Sequence, residues 1–288
     1  MPDSPNPIAS TGKTHVGAVR EENQDSIQLV EPDSDVISTH GYLYGLADGL
    51  GGYEHGGVAS KLAIQTLFHI FYNGPVGQAE RNFRDAFREA NLTIFREATV
   101  RQARMGTTLT AINITGNMAT VAHVGDSRLY LVRNERVMCL TNDHSNVGDM
   151  VRARLLTPDK LRTHNQRSVL NRCLGIEMFV QADISQVKLQ DGDRLLLCSD
   201  GFWAVIEDHE LPALLGDDDN ENGVCDRLVE EAMRRGSDDN ISVINIHIHA
   251  VPDTQLDAPE MRGIRRVISF LTSILPRDPE AGEADNGR

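Results

Sequence analysis

The stretch TTLTAINITGNMATVAHVGDSRLYLVRNERVMCL, residues 107–140, gives the clearest indication of the architecture. It contains four strand-like segments: Thr107–Ile114, Met118–Val124, Arg128–Val132 and Arg136–Leu140. The first two are separated only by the turn Gly116-Asn117, and no gap in the stretch is long enough for a helix. Strands that follow one another without helices favour antiparallel pairing over βαβ units, so we expect a mostly antiparallel sheet here.

Strand-like and helical segments occur in groups on both sides of this block. Before it come three strand segments and then two helices with apolar positions at helical spacing: His15–Val19, Ile27–Val30, Tyr42–Ala47, Ala59–Phe71 and Phe83–Ala98. After it come two strands, two helices and a last strand: Val180–Leu189, Arg194–Cys198, Glu207–Leu215, Asn222–Arg234 and Ile241–His249. Helix pairs between runs of strands predict an α+β fold. We expect a four-layer α-β-β-α sandwich with two mostly antiparallel sheets flanked by helix pairs.

The two ends of the chain differ in composition from the segments between them. Residues 1–13 are rich in Pro, Ser and Asn and are predicted to be a flexible tail, with order beginning near Thr14. The main domain is expected over 14–250, and residues 251–288 read as a linker, an amphipathic helix at 261–275 and a tail. That helix is too short to span a bilayer. It could lie on an anionic membrane surface, dock on a partner protein or pack on its own domain.

Composition excludes several function classes. The chain has 28 basic and 42 acidic residues, a net charge of −14, which disfavours nucleic acid as a partner. Its four cysteines show no CxxC pairing, as expected of free thiols in a reducing cytoplasm. No secretory signal and no run of 18 apolar residues is present, so neither export nor a transmembrane span is expected. We expect a cytoplasmic monomer.

Five aspartates stand beside residues that let the backbone turn, at the ends or edges of predicted strands: Asp25, Asp48, Asp126, Asp200 and Asp239. A single Asp-Gly pair is mostly a turn signal, and Asp191-Gly192 is interpreted as no more than that. Asp48 and Asp200 follow apolar strands, which carry their carboxylates to the rim of the core. Carboxylates gathered there would repel one another and lose solvation, and a hard divalent cation relieves both costs. Oxygen ligands fit Mg²⁺ or Mn²⁺ rather than zinc or copper.

These residues stand in seven motifs whose order along the chain is specific. The motifs are VREENQDS (19–26), ADGLGGYEHGGVAS (47–60), MGTTLT (105–110), VGDSRLYL (124–131), DHS (143–145), DRLLLCSDGFW (193–203) and SDDNISVI (237–244). In this order and spacing the sequence resembles the PPM family, the metal-dependent Ser/Thr protein phosphatases of type 2C, over residues 14–250. The residues of these motifs are similar to those of the bacterial branch of the family, whose members oppose Ser/Thr protein kinases.

The resemblance implies a metal centre of two Mn²⁺ or Mg²⁺ ions with a third, weaker ion. Asp48 would bridge the two ions, and Asp25 would act through bound waters. The third ion would lie at Asp126 together with Asp200. The implied metal ligands are therefore Asp25, Asp48, the carbonyl of Gly49, Asp126, Asp200 and Asp239.

The resemblance also implies the reaction and its catalytic residues, Arg20, Asp48 and Asp200. Arg20 would bind the substrate by gripping the phosphate oxygens, a role suited to a planar guanidinium. A water activated between the two cations would attack phosphorus in line, without a phosphoenzyme.

The sequence departs from the family pattern at two positions. Eukaryotic members have a His, often assigned as general acid, where this chain has Leu50, and many relatives have Glu where it has Gln24. His55 and His144 are nearby substitutes for the acid, although a loop or capping role is favoured for both.

The polar stretch 141–180 aligns with the mobile flap that helps select substrates in the family. It carries Arg152, Arg154, Arg162, Arg167 and Arg172, which either steer acidic phosphopeptides or form an ordinary solvated loop.

The leading functional hypothesis is hydrolysis of phosphoserine and phosphothreonine on proteins, opposite a cognate Ser/Thr kinase. One alternative is a catalytically silent relative that binds phosphopeptides or acts as a scaffold. Another is a metal phosphatase for small phosphate esters.

Overall fold

The computed structural model describes residues 7–30, 35–50, 55–157, 160–216 and 223–251. The chain divides into two units, Met1–Leu256 and Asp257–Arg288, and every described residue belongs to the first. The predicted helix at 261–275 lies outside the described residues, as do residues 1–6 of the predicted tail.

Ten strands form two sheets of five strands each in the described ranges, and every neighbouring pair is antiparallel. The first sheet has the spatial order β1 (Ile8–His15), β10 (Ile241–Ile248), β9 (Arg194–Cys198), β6 (Arg128–Arg133) and β7 (Arg136–Cys139). The second has the order β2 (Asp25–Leu29), β3 (Tyr42–Asp48), β4 (Leu109–Thr115), β5 (Met118–Val124) and β8 (Asp183–Lys188).

Two long helices and several short ones accompany the sheets. The long ones are α2 (Gly56–Tyr72) and α3 (Ala79–Arg101). The others are α1 (Ile37–His40), α4 (Asn146–Arg152), α5 (Asp200–Trp203), a 3₁₀ turn (Asp208–Glu210), α6 (Leu211–Leu215) and α7 (Val224–Arg234). Among the helices that the structure describes, none is both long and apolar enough to cross a membrane.

Three apolar cores separate the four layers, and β9 shows how one strand serves two of them. Leu195 and Leu197 point into the core between the two sheets, where Ile244 of β10 also packs. Leu196 and Cys198 point to the opposite face, into the core under α5, α6 and α7. The third core joins the second sheet to α2 and α3. The continuous apolar run of β9 follows from burial on both faces, and the predicted α-β-β-α sandwich is confirmed.

The N-terminal prediction is wrong for residues 8–13. These residues form most of β1, which pairs along its whole length with β10, and Ile8 is buried. The polar composition was misleading because an edge strand is held by backbone hydrogen bonds to its neighbour and needs few apolar side chains. The strand predicted at His15–Val19 is also wrong, because β1 ends at His15 and Gly17 turns the chain with a φ of +81°.

The stretch after β7 is irregular, as predicted, but it begins with a buried ion pair. Arg128 of β6 donates to both carboxylate oxygens of Asp143, at 3.0 and 2.8 Å, and to the hydroxyl of Tyr130 at 2.9 Å. Its guanidinium carbon lies 3.8 Å from the centre of the Trp203 ring. The side chains of Arg128 and Asp143 are only 7% and 5% exposed. This network fixes the start of residues 141–180 against the first sheet.

We expect Arg128→Ala to lower the free energy of unfolding by about 3 to 5 kcal/mol, because Asp143 would keep a buried charge without its partner. Arg84→Ala is the matched control, since Arg84 forms an exposed helical ion pair with Glu80, and its removal should cost less than about 0.5 kcal/mol. Urea unfolding of both variants measures the difference. Equal losses would contradict the role given to the buried pair.

Candidate active site

A cavity of about 860 Å³ brings together five of the residues that the sequence nominates. Its lining includes Arg20, Asp48, Asp126, Asp200 and Asp239. These residues come from positions far apart in the chain, and they meet where β3 ends and α5 begins. Asp25 and Gly49 are the two nominated ligands that do not line the cavity.

Asp48 is the last residue of β3, and its backbone is held by two threonines of the MGTTLT motif. Its carbonyl accepts hydrogen bonds from the backbone N–H of Thr108 and the hydroxyl of Thr107, both at 2.8 Å. Its own N–H donates to Thr108 Oγ1 at 2.9 Å. The sequence analysis gave this motif no role, and the structure shows that its threonines hold the backbone of Asp48.

Asp25 lies directly opposite Asp48 in the β2–β3 register. Both of its carboxylate oxygens are buried and lack a hydrogen-bond partner among the described residues. The hydroxyls of Ser199 and Ser242 are close enough to lower its pKa, but their hydrogen bonds are made elsewhere, to Asn240 O and to Thr14 Oγ1. A buried carboxylate without donors is costly, so this position calls for a positively charged or donating group.

Gly49 follows Asp48 where two backbone segments touch. A Cβ at this position would lie 2.4 Å from backbone atoms of Gly56 and 2.7 Å from the carbonyl oxygen of Gln24. The Gly49 N–H also donates to that carbonyl. Only glycine allows this close approach, which keeps the chain after Asp48 against the start of α2.

Asn240, directly before β10, is hydrogen-bonded to the loop that follows β1. Its side-chain oxygen accepts from the N–H of Gln24 at 2.8 Å, and its Nδ2 donates to the carbonyls of Val16 and Glu22. The loop held in this way carries Arg20, whose guanidinium donates to Asp239 Oδ2 at 2.7 Å. Asn240 therefore places Arg20 beside the aspartates. It was missed as a functional residue, although its position after Asp239 was the available signal.

Burial and repulsion from neighbouring carboxylates raise the pKa values of Asp25, Asp48, Asp126 and Asp200. Burial comes first and repulsion from Asp25, Asp200, Asp126 and Asp239 second in holding the pKa of Asp48 well above its ordinary value. Burial and then Asp239 raise the pKa of Asp200 to about 7. Burial, with a further contribution from Asp239, raises that of Asp25 to about 6. Burial, followed by repulsion from Asp200, raises the pKa of Asp126. Negative charge is concentrated here without enough compensating positive charge.

The residues present fit divalent cations. The donors are all oxygens, one carboxylate is buried without a partner, and the shared repulsion is of the kind that a dication removes. Within the described ranges no three His, Cys, Asp or Glu side chains already form a compact metal-binding cluster. One of the nominated ligands, Asp239, instead accepts the guanidinium of Arg20.

Neither histidine considered as a substitute acid lines the cavity. His55 is the N-cap residue of α2. His144 is buried; its Nδ1 accepts from the Gly125 N–H at 3.1 Å, and its Nε2 lies 3.1 Å from Asp183 Oδ2. Burial, ahead of its charged neighbours, lowers the pKa of His144. It supports the Gly125-Asp126 turn, in agreement with the structural role that the sequence favoured.

The arginines of residues 141–180 are largely engaged within the protein. Only Arg172 lines the cavity, and it is ion-paired with Asp183 at 2.7 Å. Arg162 is tied to the carbonyls of Trp203 and Ile206 and to Asp208. These contacts give Arg162 a structural role, so its presence does not require that it attract acidic phosphopeptides.

Several cavity residues had no nominated role in the sequence. They include Leu50, Arg104, Val169, Ile176 and Phe179. The resemblance placed the flap at 141–180 near the site, but apolar side chains carry no motif of their own, and the structure shows which residues of that segment line the cavity.

Comparison with known proteins gives the same assignment. Residues 11–238 match the sequence model of the family described as Protein phosphatase 2C. The chain is 36% identical over 232 residues to the serine/threonine protein phosphatase PstP of Mycobacterium tuberculosis, covering 79% of this chain and 42% of that protein. It is 30% identical over 239 residues to the serine/threonine phosphatase stp of Listeria monocytogenes, covering 81% of this chain and 92% of that one. The chain thus spans less than half of the mycobacterial relative's length.

A solved structure of the PstP catalytic domain in complex with two manganese ions superposes with a TM-score of 0.72 at 31% identity, covering 83% of this chain and 97% of that one. The family match spans most of the motif series, from the strand before Arg20 almost to Asp239. By sequence, fold and the residues gathered in its cavity, this chain belongs to the protein phosphatase 2C family.

Proposed function

We propose that this protein hydrolyses phosphoserine and phosphothreonine on proteins in a metal-dependent reaction. The observation that carries the proposal is the cavity that unites Arg20 with four aspartates. Both relatives described above are named serine/threonine phosphatases, which supports the substrate class.

Arg20 is the phosphate-binding group in this proposal. A guanidinium has five N–H donors in a planar fork, and one NH2 group of Arg20 is used on Asp239. The side chain lines the cavity and is 40% exposed. Its remaining donors suit two phosphate oxygens, and the ion pair with Asp239 keeps the guanidinium in place while a substrate enters.

The aspartates hold the metals. We assign Asp48, Asp200, Asp239 and the Gly49 carbonyl to a pair of Mn²⁺ or Mg²⁺ ions, Asp25 to contacts through water, and Asp126 with Asp200 to a third, weaker ion. When bound, such ions neutralise phosphate charge and make water nucleophilic at neutral pH. The neighbouring Leu50 has no proton to donate, so we assign protonation of the leaving seryl or threonyl oxygen to water.

The cellular setting is also a proposal. All four cysteines are free thiols, which supports a reducing cytoplasm. The natural partners would be phosphoproteins and the Ser/Thr kinase that modifies them, and the enzyme would act as a monomer. Contact of residues 261–275 with a membrane surface or a partner protein stays a prediction.

A catalytically silent relative is the second candidate. It would have no physical need for buried aspartates such as Asp48 and Asp200, whose pKa values are raised by burial and by repulsion from neighbouring carboxylates. Their presence together supports the active enzyme.

We expect Asp200→Asn to reduce hydrolysis of a phosphothreonine peptide by about a hundredfold or more with Mn²⁺ present, because one metal ligand loses its charge. Wild-type turnover should disappear in chelator and return with Mn²⁺. Phosphate release from the peptide measures both effects.

Asp191→Asn is the matched control for this experiment. Asp191 also precedes a glycine, but it is exposed and accepts a hydrogen bond from the Val251 N–H away from the cavity. Its activity should equal wild type. Turnover that survives both chelator and Asp200→Asn would refute the metal mechanism, and a folded wild type without turnover would favour the silent relative.

We expect Arg20→Ala to raise the KM for the phosphopeptide and to weaken inhibition by inorganic phosphate, each by about tenfold, since a charge-assisted pair of hydrogen bonds is lost. Arg20→Lys should recover only part of this loss because an ammonium cannot bind two oxygens in one plane. Arg88→Ala, an exposed arginine of α3, is the control. Unchanged phosphate inhibition in Arg20→Ala would contradict the assignment.

A further inference from the structure

One wall of the cavity is apolar, and the proposed reaction makes no use of it. Its residues are Leu50, Val169, Ile176, Phe179 and Val180, which we call the apolar wall. Leu50 and Ile176 meet above Gly106, where an added Cβ would lie 2.8 Å from Leu50 Cδ1 and 3.2 Å from Ile176 Cδ1. The apolar wall therefore includes a residue two positions after Asp48 in the chain as well as the exposed Phe179.

Phe179 is 81% exposed, and its neighbour Met178 is 52% exposed. Val169 on the same wall is 47% exposed. Exposed apolar side chains that lie singly are ordinary, but a group of them beside a cavity marks a binding surface. Val100 and Leu155 are also highly exposed, yet neither lines the cavity, so they serve as a comparison.

The backbone that carries these side chains is fastened to α3 by a buried amide. Asn91, 1% exposed, donates from Nδ2 to the carbonyls of Glu177 and Met178 at 2.9 and 3.0 Å. Its Oδ1 accepts from the Gly175 N–H at 2.8 Å. Three hydrogen bonds thus hold the loop in an orientation that leaves Met178 and Phe179 exposed.

Gly175 adds a second restraint to the same loop. Its φ is +91°, and a Cβ there would lie 2.3 Å from Ile94 Cγ2 of α3. The loop therefore packs against the helix as closely as a glycine permits. The exposure of Phe179 follows from this attachment and not from a lack of structure around it.

We propose that the apolar wall binds an apolar side chain of the phosphoprotein that lies within two positions of the phosphorylated residue. The proposal rests on the proposed function and adds a sequence preference to it. The phosphate is placed at Arg20 and the aspartates, and the apolar wall lines the same cavity. The volume of about 860 Å³ is that of sites that enclose a whole ligand, so it accommodates neighbouring side chains as well as the phosphoresidue.

The apolar lining supports the same occupant. Glu177, Arg104 and Arg172 also line the cavity, and Arg172 is already ion-paired with Asp183. An apolar residue next to the phosphoresidue loses only water on contact with Phe179 and Ile176. Small phosphate esters make no use of the wall, so the preference concerns peptides.

The test uses phosphothreonine peptides that place Phe, Ala or Glu at each of the two positions on either side of the phosphoresidue. With Mn²⁺ present we expect kcat/KM for the Phe peptide to exceed that of the Ala peptide at least fivefold in one position or more, mainly through KM, because about half of an apolar side chain is buried. In Phe179→Ala the ratio should fall below about twofold, and in Phe179→Leu it should be largely retained.

Val100→Ala is the matched control, and it should keep the wild-type ratio. Wild-type ratios near one at every position, or a ratio that persists in Phe179→Ala, would overturn the subsite. Hydrolysis of p-nitrophenyl phosphate separates the two proposals. Turnover of this ester without peptide preference refutes only the subsite, while absence of all Mn²⁺-dependent turnover refutes the phosphatase function.

Discussion

The repulsion between the carboxylates at the cavity is the constraint that the rest of the structure must offset. Asp25 and Asp48 are placed opposite each other by the pairing of β2 with β3, and Asp200 and Asp126 add to the same field. Such an arrangement disfavours folding unless something neutralises it. The three surrounding apolar cores stabilise the fold against this repulsion. Hydrogen bonds that fix the backbone, such as those from Thr107 and Thr108 to Asp48, stabilise it further. A site with this much unsatisfied charge is specialised for cations and for the anions that cations attract.

Much of the fold could be predicted because its signals are local. The apolar run of β9 indicates a buried strand because both of its faces contact a core. The apolar spacing that predicts two long helices corresponds to α2 and α3 in the structure. The misplaced N-terminus shows the limit of this reasoning. Edge strand β1 depends on a partner more than 200 residues away, and its own side chains carry little information about that pairing.

The candidate site was predictable for a different reason. A carboxylate beside a residue that lets the backbone turn leaves a visible pattern at five aspartates, and the order of the seven motifs carries the resemblance to one family. What the sequence did not reveal are the residues that act through packing. The sequence identified Leu50 only as the position where eukaryotic relatives have a histidine. The roles of Asn91 and Phe179 became evident only from the contact between α3 and the loop at 175–178. Side chains that orient or cover a ligand gain their meaning from neighbours that are distant along the chain.

Asn240 ties Val16 and Glu22 to the start of β10, which is the last strand that the structure describes, and β10 also supplies the only described partner strand of β1. Until β10 has left the ribosome, a growing chain therefore lacks the hydrogen bonds that hold the loop of Arg20. It also lacks the strand with which β1 pairs. Under the proposed function, a half-made polypeptide would not dephosphorylate its substrates, and a truncation anywhere before residue 240 would remove both Asn240 and β10.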